Sequence, residues 1–362
     1  MEKGNSGKIS LSGLTPSEIE AALAELRLPR FRARQVAEWL YKHQIFSFDE
    51  MTNLSLELRH SLAGRFTLGR SRPCETRVSA DGTEKYLFKV DDGNVVEAVY
   101  IPSGDDRATL CVSSEVGCRM ACRFCATGGQ GFGRRLSAGE ILAQIYGCPH
   151  WEELSNIVFM GQGEPMDNID EVLRATHIVC ADYGMAWSPK RITVSTVGQL
   201  DGLRRFLEES KCQLAISLHF ADPAKRLRWM PVERKWSIRQ VIKLLRRYDF
   251  CVWNEYGLRE EGSRQRRLSF EYILFADLND SEDDALMVAK LLEGLDCRVN
   301  LINLHSTPAT AKLGLHRATD SRAMWFRDRL TEFGLRATIR ASRGEDVEAA
   351  CGLLRAKVVG DK

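Results

Sequence analysis

The sequence predicts an α/β fold: a parallel sheet with helical crossovers, preceded by a small helical module and a β-meander. Three observations carry this. From about Leu110 onward, short apolar runs alternate six times with amphipathic stretches, which is the pattern of strand–helix repeats. Between about Cys74 and Pro102 the apolar period falls to two, as in antiparallel strands. Before that, to about residue 72, the pattern is helical. A chain of 362 residues has room for one large domain and a small one. The expected division is a helical accessory domain at 1–72, a meander linker at 73–104 and a main domain at 105–362.

The elements follow in order. Thr15-Pro16-Ser17-Glu18 sets a capping hydroxyl, a first-turn proline and a reciprocal acid ahead of an apolar-periodic run. A second helix, about Phe31 to His43, puts Val36, Trp39 and Leu40 on one face, and a third covers about Leu54 to Leu62. Arg27, Arg30, Arg32 and Arg34 crowd the second helix's entry, either as a solvated face or as a phosphate-contacting patch, the latter favoured because few acids lie nearby in sequence. In the meander, Lys85–Val90 and Asn94–Ile101 alternate between turn signals at Asp81-Gly82 and Asp92-Gly93. Glu97 lies on the second of these strands. The repeat strands are Leu110–Val112, Asn156–Met160, Arg191–Ser195, Leu214–Leu218, Leu268–Leu274 and Arg298–Ile302. Helices are expected at Ala138–Tyr146, Ile169–Asp182, Leu200–Glu208, Ile238–Arg247, Ser281–Leu292 and Ser321–Phe333. A last strand, Arg336–Arg340, leads to a short helix carrying Cys351. The Gly-, Glu- and Arg-rich stretch from Trp253 to Arg267 reads as a loop or insertion. Periodicity leaves open whether the sheet is a doubly wound one or a partial barrel; in both, ligands sit at the C-terminal strand ends.

Composition narrows the function classes. Lys and Arg total 51 against 49 Asp and Glu, a net charge of +2, so any basic surface is local. No apolar run is long enough to span a membrane, and MEKGNSGKIS lacks a signal-peptide core, which predicts a cytosolic chain. Of eleven cysteines, Cys74, Cys148, Cys180, Cys212, Cys251 and Cys297 read as packing residues. Cys118, Cys122 and Cys125 are different: spaced C-x3-C-x2-C, they place three thiols within eight residues, suited to one soft metal centre. An iron–sulfur cluster with one open iron and a structural zinc site with Cys111 as fourth ligand both fit that spacing.

The remaining motifs fall at strand ends. Gly128-Gly129-Gln-Gly131-Phe-Gly133 follows the third cysteine and lets backbone amides approach a ligand. Gly161-Gln162-Gly163-Glu164-Pro165 follows the second strand and presents one carboxylate from a tight turn. Ser195-Thr196 and Ser217-Leu218-His219 end the next two strands. Hydroxyls, a carboxylate and an imidazole on one rim describe a pocket for a polar small molecule. Arg134, Arg135, Arg204, Arg205, Lys225, Arg226 and Arg228 are candidates for a phosphate-contacting rim.

The cysteine loop, with Phe124 before the third cysteine, resembles that of radical S-adenosylmethionine enzymes. The longer run Thr109-Leu-Cys-Val-Ser-Ser-Glu-Val-Gly-Cys118, the Gly-x-Gly-Glu-Pro turn and Arg343-Gly-x-Asp-x-x-Ala-Ala-Cys351-Gly resemble the RlmN/Cfr RNA adenosine methyltransferases over about residues 12 to 356. The resemblance implies a radical S-adenosylmethionine fold, a partial (β/α)6 barrel. It implies that Cys118, Cys122 and Cys125 ligate a [4Fe-4S] cluster whose fourth iron chelates S-adenosyl-L-methionine. Gly163, Glu164, Ser195, Ser217, Leu218 and His219 match the positions that hold this cofactor. Cys351 matches the cysteine methylated on sulfur, Cys111 the thiol that resolves the protein–RNA adduct through a transient disulfide with Cys351, and Glu97 the proton acceptor. Implied too are methylation of a carbon of adenosine, C2 favoured over C8, in ribosomal RNA, transfer RNA or both, an electron donor such as flavodoxin or ferredoxin, no membrane partner and a monomer. Two positions depart from the family pattern: Gln162 stands in place of Met, and His305 in place of a cofactor-contacting Asn.

Overall fold

The computed structural model describes residues 7–104, 107–248, 266–305, 308–350 and 352–354. The chain opens with β1 (Ile9–Ser10), α1 (Pro16–Ala22), α2 (Arg30–Tyr41) and α3 (Leu56–Arg65), then β2 (Phe66–Thr67), which pairs with β1 in parallel. Thr15 and Glu18 cap α1 reciprocally, as the sequence predicts. On α2, Ala33, Val36, Ala37, Leu40 and Tyr41 form the buried stripe, at the spacing of one helix face. Trp39 falls beside that stripe, where its indole N–H donates to Asn53 at 2.6 Å. The scarcity of acids around the arginines of α2 does not survive folding. Arg30 pairs with Glu20 at 2.9 Å, and Arg34 with Glu38 and with Asp182, 148 residues away.

The meander follows as β3 (Glu75–Val78), β4 (Glu84–Lys89) and β5 (Val95–Ser103), running antiparallel into β6 (Arg107–Cys111). The segment expected as a linker is thus the edge of the main sheet. After β6 come β7 (Glu115–Gly117), α4 (Ala126–Gln130), β8 (Phe132–Arg135) and α5 (Ala138–Tyr146). The repeats continue with β9 (Leu154–Phe159), α6 (Ile169–Cys180), β10 (Ile192–Thr196), α7 (Leu200–Glu209), β11 (Gln213–Ser217), α8 (Pro223–Trp229) and α9 (Ile238–Leu245). The last are β12 (Leu268–Leu274), α10 (Glu282–Leu292), β13 (Cys297–Asn303), α11 (Pro308–Lys312), α12 (Asp320–Glu332) and β14 (Arg336–Arg340).

Strand order decides between the two architectures. From β6 through β9, β10, β11, β12 and β13 to β14, each strand lies beside its predecessor and parallel to it. A doubly wound sheet needs a reversal of order, and none occurs. Six strand–helix units wound one way curl the sheet into a partial barrel with its C-terminal strand ends on one rim. One apolar cluster runs from Leu11, Val36 and Leu40 through the strands to Phe326 and Leu330, so the N-terminal helices share the barrel's core. Tyr41 sits at that junction, its ring 6.1 Å from those of both Tyr146 and Tyr183. Cys148, Cys212 and Cys297 are buried and Cys180 half-buried, while Cys74 is exposed, with its thiol donating to the Leu87 carbonyl. Cys251 and almost all of the Trp253–Arg267 stretch lie outside the described residues. No described helix is long and apolar enough to cross a membrane.

Candidate active site

The short antiparallel pair β7–β8 fixes the ends of the cysteine loop. Val116 faces Arg134, and Cys118 N–H donates to the Gly131 carbonyl at 2.8 Å, so the fourteen residues between the strands close on themselves. Within the loop Cys125 caps α4, and its N–H donates to Cys122 O at 3.1 Å. Gly128 packs against this turn; a Cβ there would lie 2.7 Å from Cys122 O. Met120, Cys122 and Phe124 join Phe220, Trp229 and Phe275 in an apolar cluster beneath the loop.

Cys118, Cys122 and Cys125 line one side of a cavity whose other side is formed by the strand ends: Gly163 and Glu164 after β9, Ser195 and Thr196 on β10, Ser217 on β11 and His219 beyond it. Ser195 and Ser217 bring their hydroxyls to 3.5 Å. Gly163, at φ +101°, turns the chain where a Cβ would lie 2.6 Å from the Cβ of Glu115, so a side chain is excluded on both counts. Glu164 is buried. It accepts the N–H groups of Met166 (3.1 Å) and Val197 (3.0 Å), and burial, partly offset by its bond with Thr196, pushes its carboxyl up to about 7. His219 adopts φ +52°, a strained conformation for a side-chain-bearing residue. Its Nδ1 accepts Ile273 N–H at 3.1 Å, which leaves Nε2–H as a donor. Burial, reinforced by the Arg226 charge, pushes the imidazole down to about 3, so it is neutral throughout the working range.

Leu218 is fully buried in the core and offers the site only backbone. His305 does not line the cavity; its Nδ1 lies 3.1 Å from a carboxylate oxygen of Glu345 in the C-terminal segment. Gln162 is buried and bridges two motifs, its side-chain oxygen accepting Glu97 N–H at 3.2 Å while its own N–H donates to Ser113 Oγ at 2.9 Å. Arg226 is not a phosphate-rim residue. It is fully buried, pairs with Glu233 at 2.6 Å and donates to the carbonyls of Val197, Ser217 and Leu218, which fixes the backbone at two strand ends. Other rim candidates are also engaged: Arg134 with Glu140 and Asp92, Arg135 with Asp167, Arg205 with Asp170 and Glu209, and Lys225 with Asp284.

Glu97 and Cys111 lie on the meander side. Glu97 is 1% exposed, contrary to the usual solvent-facing strand acid, and Lys85 Nζ is 3.4 Å from its Oε1. Cys111 packs with Val99, Ala349 and Leu354, away from the loop cysteines. Cys351 itself lies outside the described residues, but its flanks do not. Ala126 N–H donates to Gly352 O at 2.8 Å and Thr127 Oγ1 to Leu354 O at 2.7 Å, tying the segment to the residues immediately after Cys125. Thr127, Gly352 and Leu354 line the cavity, as does Glu271 on β12, which Ser269 and Asn300 hold by one oxygen. Sequence reasoning missed these four; an acid inside the apolar run of β12 was the available signal for Glu271.

Three thiols at one side of a cavity, facing a rim of donors and one carboxylate, fit an iron–sulfur cluster with a polar ligand between it and the strand ends. A zinc site fits less well: Cys111, the fourth ligand it would need, packs with Val99, Ala349 and Leu354 and not with the loop cysteines.

Comparisons with known proteins agree with this geometry. Residues 9–68 match the family model for the N-terminal domain of the ribosomal RNA large subunit methyltransferase, and residues 112–266 match the radical SAM superfamily model. A probable dual-specificity RNA methyltransferase RlmN from Bacteroides fragilis is 53% identical over 347 residues, covering 96% of both chains. The dual-specificity RNA methyltransferase RlmN of Syntrophotalea carbinolica is 38% identical over 351 residues, 97% of this chain and 91% of that one. The crystal structure of a radical SAM methyltransferase from Sphaerobacter thermophilus superposes with a TM-score of 0.87 at 39% identity, covering 96% of this chain and all of that one. Radical SAM membership implies a [4Fe-4S] cluster and S-adenosylmethionine, for which the loop cysteines and the strand-end rim are the fitting groups. On these grounds the chain belongs to the RlmN family of radical SAM RNA methyltransferases.

Proposed function

We infer that this enzyme methylates a carbon of adenosine in RNA, C2 in preference to C8, using Cys351 as methyl carrier. The observation that supports this most is the tethering of the segment on both sides of position 351. Gly352 and Leu354 are bonded to the start of α4, next to the cluster loop, while Ala349 and Leu354 cover Cys111. Position 351 falls in the chain between these two attachments. The dual specificity in the relatives' names supports action on more than one RNA, with ribosomal and transfer RNA as the candidates.

When bound, the cluster and S-adenosylmethionine supply the methyl group, the hydrogen-abstracting radical and the electron traffic, with flavodoxin or ferredoxin as the expected reductant. Cys118, Cys122 and Cys125 hold the cluster; Gly163, Glu164, Ser195, Ser217 and His219 hold the cofactor's polar groups. Cys351 Sγ takes a methyl group and becomes a thioether. Once that methyl has lost a hydrogen atom, its carbon bonds to the adenine carbon. Forming the closed-shell adduct releases one proton, which passes to Glu97, and one electron, for which the oxidised cluster would be the acceptor. Cys111 thiolate then attacks Cys351 Sγ: the S–S bond forms, the S–CH2 bond breaks with its electron pair on carbon, and a proton completes the product methyl. The two sulfurs lose the two electrons that the methylene gains, and an external dithiol must reduce the disulfide before the next turnover.

The test is mass spectrometry of the Cys351 peptide after anaerobic incubation of cluster-reconstituted protein with methyl-labelled S-adenosylmethionine. A labelled methyl on Cys351 is expected. An unmodified Cys351 in protein with an intact cluster would overturn the carrier mechanism.

A further inference from the structure

Lysine is seldom fully buried unless it is paired. Lys85, on β4, is 1% exposed. Its register partner is Val99 on β5, and Val99 in turn faces Cys111 on β6; Glu97 lies two residues along β5 on the same face. One sheet face therefore carries Lys85, Glu97 and Cys111 together. Lys85 Nζ reaches Glu97 Oε1 at 3.4 Å and donates to the backbone carbonyl of Glu348 at 3.2 Å. Glu348 is three residues ahead of Cys351. The same segment is strapped to the β3–β4 turn by bonds nearer solvent. Ser79 Oγ donates to Asp346 at 2.5 Å, Ala80 N–H to Asp346 at 3.1 Å and Gly344 N–H to Asp81 at 3.0 Å.

Stability alone does not call for this arrangement. A buried ion pair gains little over two well-packed apolar side chains, so a core made for stability would use methionine or leucine at both positions. The shared ammonium does what an apolar pair cannot: it links a carboxylate fixed in the sheet to the backbone of a segment that is not part of it.

We propose that Lys85 is a positioning residue that holds the Glu97 carboxylate and the Cys351-bearing segment in fixed relation during transfer of the methyl carbon to RNA. The proposal rests on the assignment of Glu97 and Cys351 above. Methylation of Cys351 sulfur releases only the thiol proton, which ionises to water before attack and makes no use of Glu97, and the other end of the segment stays bonded to Ala126 and Thr127. Lys85 therefore matters to the RNA step and not to the loading step.

The experiment compares wild type, K85M and K85R, each with its cluster reconstituted. Three quantities are measured: Cys351 S-methylation by labelled S-adenosylmethionine, RNA methylation, and amide hydrogen exchange of the 343–354 peptide. In K85M, RNA methylation should fall at least tenfold, S-methylation should stay within about threefold of wild type, and exchange over 344–350 should accelerate at least tenfold. K85R, which keeps the charge, should recover RNA methylation to within about tenfold of wild type. The proposal is overturned if K85M leaves segment exchange and RNA methylation unchanged, or if S-methylation falls in parallel with RNA methylation. If K85M does not fold, K85M/E97Q, which removes both charges, is compared with E97Q: faster segment exchange in the double variant supports the proposal and equal exchange overturns it. Absence of methyl on Cys351 in wild type would instead overturn the carrier assignment.

Discussion

Glu115 offers the sharpest test of the electrostatics around the cofactor cavity. It is fully buried on β7, one carboxyl oxygen accepts Glu164 N–H at 2.9 Å, and its carboxyl neighbours that of Asp167. Arg119 and Arg135 pair with Asp167 at 3.0 and 3.2 Å. Burial beside other carboxyls favours the protonated form of Glu115. Burial first, then the charges of Asp167 and Glu164, pushes Glu115 up to about 8. The folded state thus retains a proton that the unfolded chain releases near its ordinary value of 4.5. For an acid shifted in this direction, stability falls as pH rises from about 4.5 to 8, by at most about 1.4 kcal/mol per pH unit. The full window would cost about 5 kcal/mol; coupling of Glu115 to its surroundings reduces this to roughly 2–3 kcal/mol.

Glu115→Gln fixes the neutral form at unchanged size, with an amide oxygen for Glu164 N–H and an amide N–H for Asp167. The variant should match wild type near pH 4.5 and exceed it by roughly 2–3 kcal/mol at pH 8, a urea midpoint shift on the order of 0.5–1 M. Urea unfolding of reduced, cluster-free protein at several pH values measures this without interference from cluster loss. A stability difference that does not change with pH, or a variant weaker than wild type at pH 8, would refute the reasoning, because either result requires Glu115 to be ionised.

Three further predictions concern the rest of the site. Gly163→Ala forces a Cβ to 2.6 Å from Glu115 at a φ of +101°, so it should lose roughly 1–3 kcal/mol of stability and at least tenfold in S-adenosylmethionine affinity by equilibrium dialysis. Arg226→Met strands the Glu233 carboxylate and three strand-end carbonyls, at about 3–5 kcal/mol by denaturant unfolding, whereas R226M/E233M should lose less than the sum of the single changes. Cys111→Ala removes the proposed resolving thiol from an apolar pocket while leaving the loop cysteines untouched. It should fold, methylate Cys351 and accumulate a covalent protein–RNA adduct visible as a gel shift resistant to denaturant.

Much of the framework was legible because each element announced itself locally. The bounds of β12, β14 and α5 agree with the sequence expectation to the residue. The two strands are short runs bounded by breaks in pattern, and the helix carries a Ser137–Glu140 capping box. The β7–β8 pair escaped notice because three- and four-residue strands hold too few positions to display a period. Arg226 was misread for another reason. Its neighbours in sequence, Lys225 and Arg228, suggest a basic surface, and only the fold brings Glu233 and the strand-end carbonyls around its guanidinium. Lys85 and Glu97 conceal each other in the same way, since alternation places them on one face without telling which face is covered. The cover comes from Val347 and Ala349, some 250 residues further along the chain.

That cover explains why a meander is joined to a barrel at all. A partial barrel leaves an open edge at β6, and unpaired strand edges invite aggregation. Adding β5, β4 and β3 moves the edge outward and creates a second sheet face beside the cavity. Residues of period two on three neighbouring strands then line up across that face, which is how Lys85, Val99 and Cys111 come into one row. The C-terminal segment spans the boundary, bonded to the β3–β4 turn and Lys85 on one side and to the start of α4 on the other. In the proposed mechanism the carrier sulfur serves two places, one where it is loaded and one where it is released. The described parts of the C-terminal segment are bonded to both the barrel rim and the meander face, an attachment that neither half of the fold could provide alone.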